Sequence, residues 1–333
     1  MPTTLRDVAR LAQVSVKTVS NVVNGRPHVS AEVRGRVEAA VDALGYRPNR
    51  FARTLRTGRS GALALVVSEV DLPGLGGLTR ALAGAAARRG YRLVIDPVDA
   101  DRAAGHPPPV DGCLLLTDLP AGPGVDALPL VRLGRVPGDG TADRVGIDHL
   151  GAGRDATAHL LATGCRRIAA IDAGPDDAAP PPPVLRGYAE AVRTAGLPRL
   201  PGHVQRAAAH RRADGYRAAR AVLARPDHPD AFVCASDALA IGAMCAAFDA
   251  GLRVPEDLAV IGVGGSEEGH WMRPALSTVA ADTGFIARQA VARLLARIAR
   301  PDAAPVDVVA PHALLSRAST RGADRPGTVR VGC

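Results

Sequence analysis

From residue 61 onward, short apolar runs alternate with longer helical patterns, and this alternation constrains the fold more than any other feature. Seven runs predict strands, and the first of them is a continuous apolar run typical of a strand buried on both faces. They are ALALVVSEV (62–70), RLVIDPV (92–98), GCLLLTD (112–118), LVRLG (130–134), RIAAID (167–172), AFVCAS (231–236) and LAVIGV (258–263). Helical segments between them predict repeated βαβ units, and over this length two doubly wound, parallel-sheet α/β lobes. A ligand would lie in the cleft between the lobes, at the carboxyl ends of the strands.

The net charge is concentrated in the first fifth of the chain. Residues 1–60 contain eleven Lys or Arg and four Asp or Glu, whereas the remaining residues contain thirty against twenty-nine. The total of +8 is therefore almost wholly a property of the amino-terminal part. A basic module attached to a nearly neutral body favours a nucleic-acid partner, although a plain basic tail would give the same count.

The first 45 residues predict three short helices. Thr4 followed by Asp7 is a capping pattern, Ser15 and Ser30 can cap a second and a third helix, and Gly45 supplies a left-handed stop. The expected core positions have helical spacing; they are Leu5, Val8, Ala9, Ala12, Val19, Val22, Val23, Val33, Val37, Val41 and Leu44. Two short helices joined by a tight turn and closed by a third form a helix-turn-helix module.

The second helix carries the candidate DNA contacts. In a helix-turn-helix module its amino-terminal residues meet base edges in the major groove. Lys17, the only lysine in the chain, is expected to be exposed there with Val16 and Asn21, and its flexible donor can reach the acceptors of guanine. Short polar side chains suit phosphate oxygens; these are Ser15, Thr18, Ser20 and Asn24. The alternative for Lys17 is an ordinary solvated lysine.

The segment TLRDVARLAQVSVKTVSNVVNGRPHVSAEVRGRVEAAVDALGYRPNRFARTLRTGRS resembles the DNA-binding head of LacI/GalR-family repressors almost without a gap. The match includes the V-S-x-x-T-V-S core, the H-V-S segment before the third helix, and G-Y-x-P-N. The resemblance adds Thr4, His28, Ser30 and Asn49 to the candidate DNA-binding residues.

The same resemblance implies a hinge helix over residues 49–56. Leu55 matches a leucine that wedges into the minor groove, and Ala52 matches the small residue that lets two hinge helices approach each other. An apolar wedge between base steps unstacks and kinks DNA. Because so short a segment holds no helix alone in water, this one should fold only when paired and bound to DNA. A leucine in a plain interdomain linker is the alternative.

The body resembles the effector-binding core of that family, which has the periplasmic-binding-protein fold. The matching segments are VGIDHLGAGRDATAHLLATGCRRIAAI, SDALAIGAMCAAFDAGLRVPEDLAVIGV and PALSTVAADTGFIARQAVARLLARI, so that the resemblance covers about residues 3–320. It implies Asp148, Ser236 and Asp237 as effector-binding residues, although each aspartate could simply cap a helix. Trp271, the single tryptophan, either stacks on an effector or packs at the crossover between the lobes.

Three departures from the family pattern bear on the effector. The position of its effector-binding arginine is Val184, its acidic pair for sugar hydroxyls is Gly264-Gly265, and its aromatic-rich segment after the first strand is Pro73-Gly74-Leu75. A sugar pocket needs many fixed polar partners, because each buried hydroxyl left unpaired costs about 1–3 kcal/mol. Either the effector is a different and less polar molecule, or no small molecule is bound.

Other protein classes find little support in the sequence. There is no GxSxG, no P-loop, no GxGxxG after a strand, and no metal-ligand spacing among the histidines. We therefore expect a protein that is not an enzyme and has no catalytic residue, cofactor or metal. The absence of a signal peptide, of a long apolar run and of any CxxC pair predicts a cytoplasmic protein without a membrane partner.

The combined patterns predict a DNA-binding transcriptional regulator with a helix-turn-helix domain (1–45), a hinge helix and linker (46–60), a two-lobed effector-binding and dimerisation domain (61–320) and a disordered tail (321–333). We expect a homodimeric repressor of a metabolic operon that binds a palindromic double-stranded operator. A small-molecule effector, a sugar or another metabolite, would control it allosterically. The alternative is a solute-binding sensor with a degenerate pocket and effector-independent DNA binding.

Overall fold

The computed structural model describes residues 3–23, 29–46, 59–67, 74–97, 109–116, 123–136, 141–174 and 180–320. The chain divides into two compact units, residues 1–60 and 61–333. We call the first unit the head and the second the core. The hinge helix expected over 49–56 and the tail expected over 321–333 lie outside the described residues.

The described part of the head forms three helices, α1 (Leu5–Ala12), α2 (Val16–Val23) and α3 (Ala31–Ala43). Their apolar faces meet in one cluster of buried residues; it consists of Val8, Ala9, Ala12, Val19, Val22, Val37, Ala40 and Tyr46. The predicted helices and most of the predicted core positions are therefore confirmed. Val33 is only half-buried and lies outside the cluster, and Ala40 takes the inward position on α3.

The ends of α3 form as the sequence predicts. The hydroxyl of Ser30 accepts a hydrogen bond from Val33 N at 3.4 Å, and Gly45 adopts the left-handed conformation with φ +56°. Tyr46 N then donates to Val41 O at 2.9 Å, which closes the helix. The Tyr46 ring is buried in the head cluster. The packed head therefore includes the first residue of the expected linker.

The core contains two six-stranded sheets, one in each lobe. The first has the order β11-β5-β4-β3-β1-β2 and is parallel throughout; the second has the order β12-β10-β9-β8-β6-β7, in which only β12 is antiparallel. The strands are β1 (Ala62–Val67), β2 (Arg92–Pro97), β3 (Gly112–Leu116), β4 (Leu130–Val136), β5 (Asp143–Asp148), β6 (Ile168–Ala173), β7 (Val204–Ala207), β8 (Ala231–Cys234), β9 (Ala259–Gly264), β10 (Ser277–Ala281), β11 (Asp307–Val309) and β12 (His312–Leu315).

Helices pack on both sheets, as the βαβ pattern predicts. They are α4 (Leu75–Ala87), α5 (Pro123–Asp126), α6 (His149–Ala162), α7 (Pro183–Thr194), α8 (Arg212–Leu223), α9 (Asp237–Asp249), α10 (Glu267–Trp271) and α11 (Thr283–Ala299). All seven predicted strands are confirmed, whereas β5, β7, β10, β11 and β12 were not predicted. Within the described ranges, no helix is both long and apolar enough to cross a membrane.

Within the residues that the structure describes, the chain passes between the two lobes three times. It leaves the first lobe after β5, at residues 148–149; it returns after β10, at 281–283; and it crosses again after β11, at 309–312. Neighbouring crossings are hydrogen-bonded, since Ala310 N donates to Gly146 O at 2.6 Å and Asp282 N donates to Pro311 O at 3.1 Å. Each crossing starts at the carboxyl end of a parallel strand. The carboxyl edges of both sheets therefore lie at the boundary between the lobes.

Two glycines allow α6 and α7 to pack closely in the second lobe. A Cβ atom at Gly187 would lie 2.1 Å from Leu150 O and 2.6 Å from Arg154 N, and one at Gly153 would lie 2.4 Å from Val184 O. These obstacles are backbone atoms, which move only if a whole helix moves. The close approach places the start of α7 beside the first crossing.

We predict that Gly187→Ala destabilises the core by about 1–3 kcal/mol or more, because the added methyl group forces α6 and α7 apart. Chemical denaturation followed by circular dichroism measures this change. Gly77→Ala on α4, where a Cβ would meet nothing within 4 Å, is the matched control and should be neutral or slightly stabilising. Equal unfolding free energies for the two variants would contradict the close packing.

Candidate DNA interface and candidate effector site

The start of α2 presents the predicted DNA-contact residues on the surface of the head. Ser15, Val16 and Lys17 are exposed, whereas Thr18 and Asn21 are half-buried. Val16 is among the few large apolar side chains that are exposed. An exposed first turn with one ammonium group and several short polar groups has the chemistry for contacts to base edges and phosphates.

Side-chain hydrogen bonds fix that turn. The hydroxyl of Ser15 accepts from Thr18 N at 3.0 Å, and the two hydroxyls of Ser15 and Thr18 are 2.8 Å apart. Ser20 is half-buried and has a partner of its own. Ser15 therefore caps α2 as predicted, and its oxygen is already engaged before any phosphate approaches.

Thr4 has a similar structural role at the start of α1. Its backbone N and its hydroxyl both donate to Asp7 Oδ2, at 3.0 and 2.7 Å. These hydrogen bonds lower the pKa of the Asp7 carboxyl below its usual value. Asp7 is thus confirmed as the capping partner. Five other candidate contacts lie outside the described residues; they are Asn24, His28, Asn49, Ala52 and Leu55.

In the core, Asp148 stands at the first crossing between the lobes. Its Oδ1 accepts a hydrogen bond from Gly151 N at 3.0 Å and so caps α6. The side chain remains partly exposed. The structure therefore shows the capping role that the sequence left open.

Ser236 and Asp237 follow β8 at the carboxyl edge of the second sheet. Ser236 caps α9 by accepting from Leu239 N at 3.3 Å. Asp237 is buried and accepts from Thr278 Oγ1 at 2.6 Å and from Ser266 N at 2.5 Å. Its carboxylate thus joins α9 to β10 and to the loop after β9. Both of its oxygens are occupied by these structural hydrogen bonds.

The glycine pair after β9 belongs to the same network. Gly264 and Gly265 have φ values of +142° and +81°, a region that other residues rarely adopt. A Cβ at Gly265 would lie 2.6 Å from the Cβ of Ala280. The backbone conformation and the close packing here therefore suit glycine at both positions. Val184 is part of the packed core, because it is buried against α6.

Trp271 lies on α10, which follows β9, and its side chain is 66% exposed. The ring meets His270 edge-on, with 5.0 Å between the ring centroids. The interpretation of Trp271 as a residue packed at the crossover is therefore wrong. At the start of α8, Arg212 forms an ion pair with Glu268 of α10 at 2.7 Å and connects the two helices.

Sequence reasoning missed a group of charged side chains at the ends of β6 and β7. Asp172 is 4% exposed, and its Oδ1 accepts from Ala173 N at 2.7 Å and lies 4.0 Å from His210 Nε2. Burial raises the pKa of Asp172 to about 6, against the opposing influence of its Ala173 hydrogen bond and of Arg206. Within the described residues, the Nε atom of Arg206 is buried without a hydrogen-bond partner.

One signal in the sequence could have revealed Asp172. It ends the predicted strand RIAAID, and a charged residue at the carboxyl end of a buried strand lies where α/β proteins bind ligands. Arg206 had no such signal, because VQRA was not predicted as a strand. The described residues contain no cluster of three or more side chains suited to a metal ion.

Two family models match the chain and correspond to its two units. Residues 4–49 match the bacterial regulatory proteins of the lacI family, and residues 157–320 match a periplasmic-binding-protein-like domain. The ribose operon repressor of Escherichia coli (strain K12) is 32% identical over 90% of this chain and 94% of its own length. The chain belongs to the LacI family of transcriptional regulators.

Other similar proteins agree with this assignment. The HTH-type transcriptional regulator CelR of Thermobifida fusca is 36% identical over 95% of this chain and 98% of its own length. A solved complex of CelR with cellobiose has a TM-score of 0.69 at 34% identity and covers 95% of this chain and 99% of that chain. A lac repressor dimer bound to operator and the anti-inducer ONPF has a TM-score of 0.80 at 27% identity, covering 96% and 99%. The chain is thus a DNA-binding regulator, and its family is not a family of enzymes.

We predict that Asp172→Asn stabilises the protein at pH 7. The folded-state pKa of about 6 lies above the usual 3.8, so the folded chain binds the proton more tightly and loses stability as the pH rises through that interval. One pKa unit corresponds to about 1.4 kcal/mol, so the variant should gain up to roughly 3 kcal/mol at pH 7 and progressively less toward pH 4.

Unfolding free energies measured between pH 4 and 8 test this prediction. Asp302→Asn, at an exposed position, is the matched control and should change nothing at any pH. A loss of stability in Asp172→Asn at pH 7 would show instead that the carboxylate makes a net favourable interaction in the folded chain.

Proposed function

We propose that this protein is a dimeric, sequence-specific repressor of a metabolic operon that binds a palindromic operator and responds to a small molecule bound between its lobes. The observation that carries the proposal is the exposed first turn of α2, which contains the only lysine of the chain. It supports the proposal because the start of the second helix is where helix-turn-helix modules meet base edges. Two such heads, related by a twofold axis, would contact two half-sites.

The hinge would supply the second DNA contact. Residues 49–56, which lie outside the described part of the chain, are proposed to form a helix that inserts Leu55 into the minor groove. Its folding would require a second hinge helix and DNA. Any change in the core that moves two hinges apart would then weaken operator binding.

The effector would act through the lobe boundary. A small molecule changes an equilibrium only by its different affinity for the two states. A ligand that contacts both carboxyl edges would favour one arrangement of the lobes, because the three crossings at 148–149, 281–283 and 309–312 are the connections between them. The effector is proposed to be something other than a typical sugar, because the polar side chains of the family's sugar pocket are replaced by Gly264, Gly265 and Val184. DNA binding independent of any effector is the alternative.

We predict that Lys17→Ala relaxes base preference at one symmetric operator position, because a good donor contact to a base edge contributes about 1–3 kcal/mol of discrimination. Sequencing of DNA selected by the variant from a random pool measures the preference. Arg36→Ala, an equal charge change at an exposed residue on α3, is the control and should leave the preference intact. An unchanged profile for Lys17→Ala would make Lys17 a bystander.

We predict that Leu55→Ala weakens binding to the selected operator far more than binding to scrambled DNA, because the wedge acts only on a specifically docked pair of hinges. Competitive binding at fixed salt measures both affinities. Leu11→Ala truncates an exposed leucine of the head and serves as the control, with no expected effect. Equal losses on both DNAs would refute the wedge assignment.

A further inference from the structure

Asp172 and Arg206 are opposite charges placed side by side on neighbouring strands. In the parallel pairing of β6 with β7, their Cα atoms are direct register partners, so both side chains stand on the same face of the sheet. Opposite charges on such cross-strand neighbours attract each other. Here burial raises the pKa of Asp172, and the charge of Arg206 lowers it through space to a smaller extent. These two described side chains nevertheless form neither an ion pair nor a hydrogen bond with each other.

Asp172 is buried with little compensation, whereas Arg206 is half-buried and has one unsatisfied atom. The Asp172 side chain is 5% exposed, and its hydrogen bond comes from the adjacent backbone, Ala173 N. Arg206 has a buried Nε atom without a partner. Burying a charged group without a compensating partner lowers the stability of the folded protein. A bound ligand could supply the missing partner.

The backbone at Gly174 makes room for the guanidinium group. Gly174 follows β6 with φ +120°, and a Cβ atom there would lie 2.9 Å from Arg206 Nη2. Arg206 therefore extends past Asp172 toward the carboxyl end of β6, at the lobe boundary. There His210 lies beside Asp172, and Cys234 on the next strand is close enough that both Asp172 and Asp237 raise its thiol pKa, after the larger effect of burial.

We propose that this pair of side chains binds a small zwitterion of the α-amino-acid type, with its ammonium group on Asp172 and its carboxylate on Arg206. This inference rests on the proposed function in one respect, because it takes the bound zwitterion to be the effector of the regulator. An ammonium group supplies several donors to the buried carboxylate, and a carboxylate can accept from the guanidinium group in a bidentate manner.

Charge balance favours a zwitterion over the other ligand classes. A simple amine would leave Arg206 unpaired, and a simple carboxylic acid would leave Asp172 unpaired. A neutral polyol could form hydrogen bonds with both side chains but would compensate neither charge. An α-amino acid carries its two charged groups on the same carbon atom, which suits side chains that arise from strands about 5 Å apart.

The test is the thermal stability and calorimetric titration of the full chain, without DNA, against a panel of free α-amino acids. Each amino acid is matched with its decarboxylated amine and its deaminated acid, and ribose and cellobiose represent the polyols. The inference predicts that at least one amino acid binds and that both of its analogues bind roughly tenfold or more weakly, a difference of about 1.4 kcal/mol or more.

Variants locate the site. Asp172→Asn and Arg206→Gln should each weaken binding of that amino acid by about tenfold or more while the circular dichroism spectrum is retained. Arg193→Gln and Asp302→Asn, both at exposed positions, are the matched controls and should bind as the parent does. Binding of an amino acid that is unaffected by Asp172→Asn and Arg206→Gln would overturn the assignment.

Two further outcomes would also overturn the inference: protection by a polyol without protection by any amino acid, and no protection by any compound in the panel. Operator selection, performed both without ligand and with the amino acids of the panel, separates this inference from the proposed function. A chain that selects DNA but binds no amino acid contradicts the inference alone, and a chain that binds an amino acid but selects no DNA contradicts the proposed function alone.

Discussion

The three crossings between the lobes are the constraint on which the rest of the core depends. Each begins where a parallel strand ends, at 148–149, 281–283 and 309–312, and neighbouring crossings are hydrogen-bonded to each other. Both carboxyl edges must therefore lie at the lobe boundary, together with the polar residues that end the strands. This geometry explains why candidate ligand contacts from separate parts of the sequence, such as Asp148, Asp172 and Asp237, occur at one boundary.

At that boundary, carboxylates with similar positions have different environments. Asp148 and Asp237 are satisfied by backbone and hydroxyl donors, and they hold α6, α9 and β10 in place. Asp172 is buried with little compensation, and its raised pKa reflects the cost of removing its charge from water. A residue that costs stability at neutral pH is a stronger candidate for ligand binding than one that caps a helix.

How much of the fold could be predicted from the sequence depends on continuous apolar runs, which accompany burial in many strands but not in all. The edge strand β2 is largely exposed or half-buried and was predicted, whereas β5 is largely buried and was not. The strands buried on both faces, such as β1, β8 and β9, have continuous apolar runs and were predicted. The edge strands β7, β11 and β12 are largely exposed or half-buried, so their sequences lack that pattern. In β10 two of the three buried positions are Ser277 and Thr278, whose hydroxyl groups are hydrogen-bonded to Arg317 O and Asp237. No apolar pattern could reveal such a strand.

The candidate sites likewise differ in how far they could be predicted from the sequence. The head follows from capping residues and helical spacing, which act within a few residues, so Ser15, Ser30 and Gly45 could be placed from sequence. The arrangement of Asp172, Arg206 and His210 depends on strand register and on burial, which a sequence pattern does not contain. The exposure of Trp271 likewise depends on how α10 packs after β9.

The most direct test of the account is the selection of DNA from a random duplex pool by the purified full-length chain at about 0.15 M salt, where weak electrostatic binding is largely screened. The account predicts enrichment of one sequence with twofold symmetry, whose two half-sites are separated by a constant spacing. Recovery of DNA without any shared sequence, or of a shared sequence without symmetry, would contradict it.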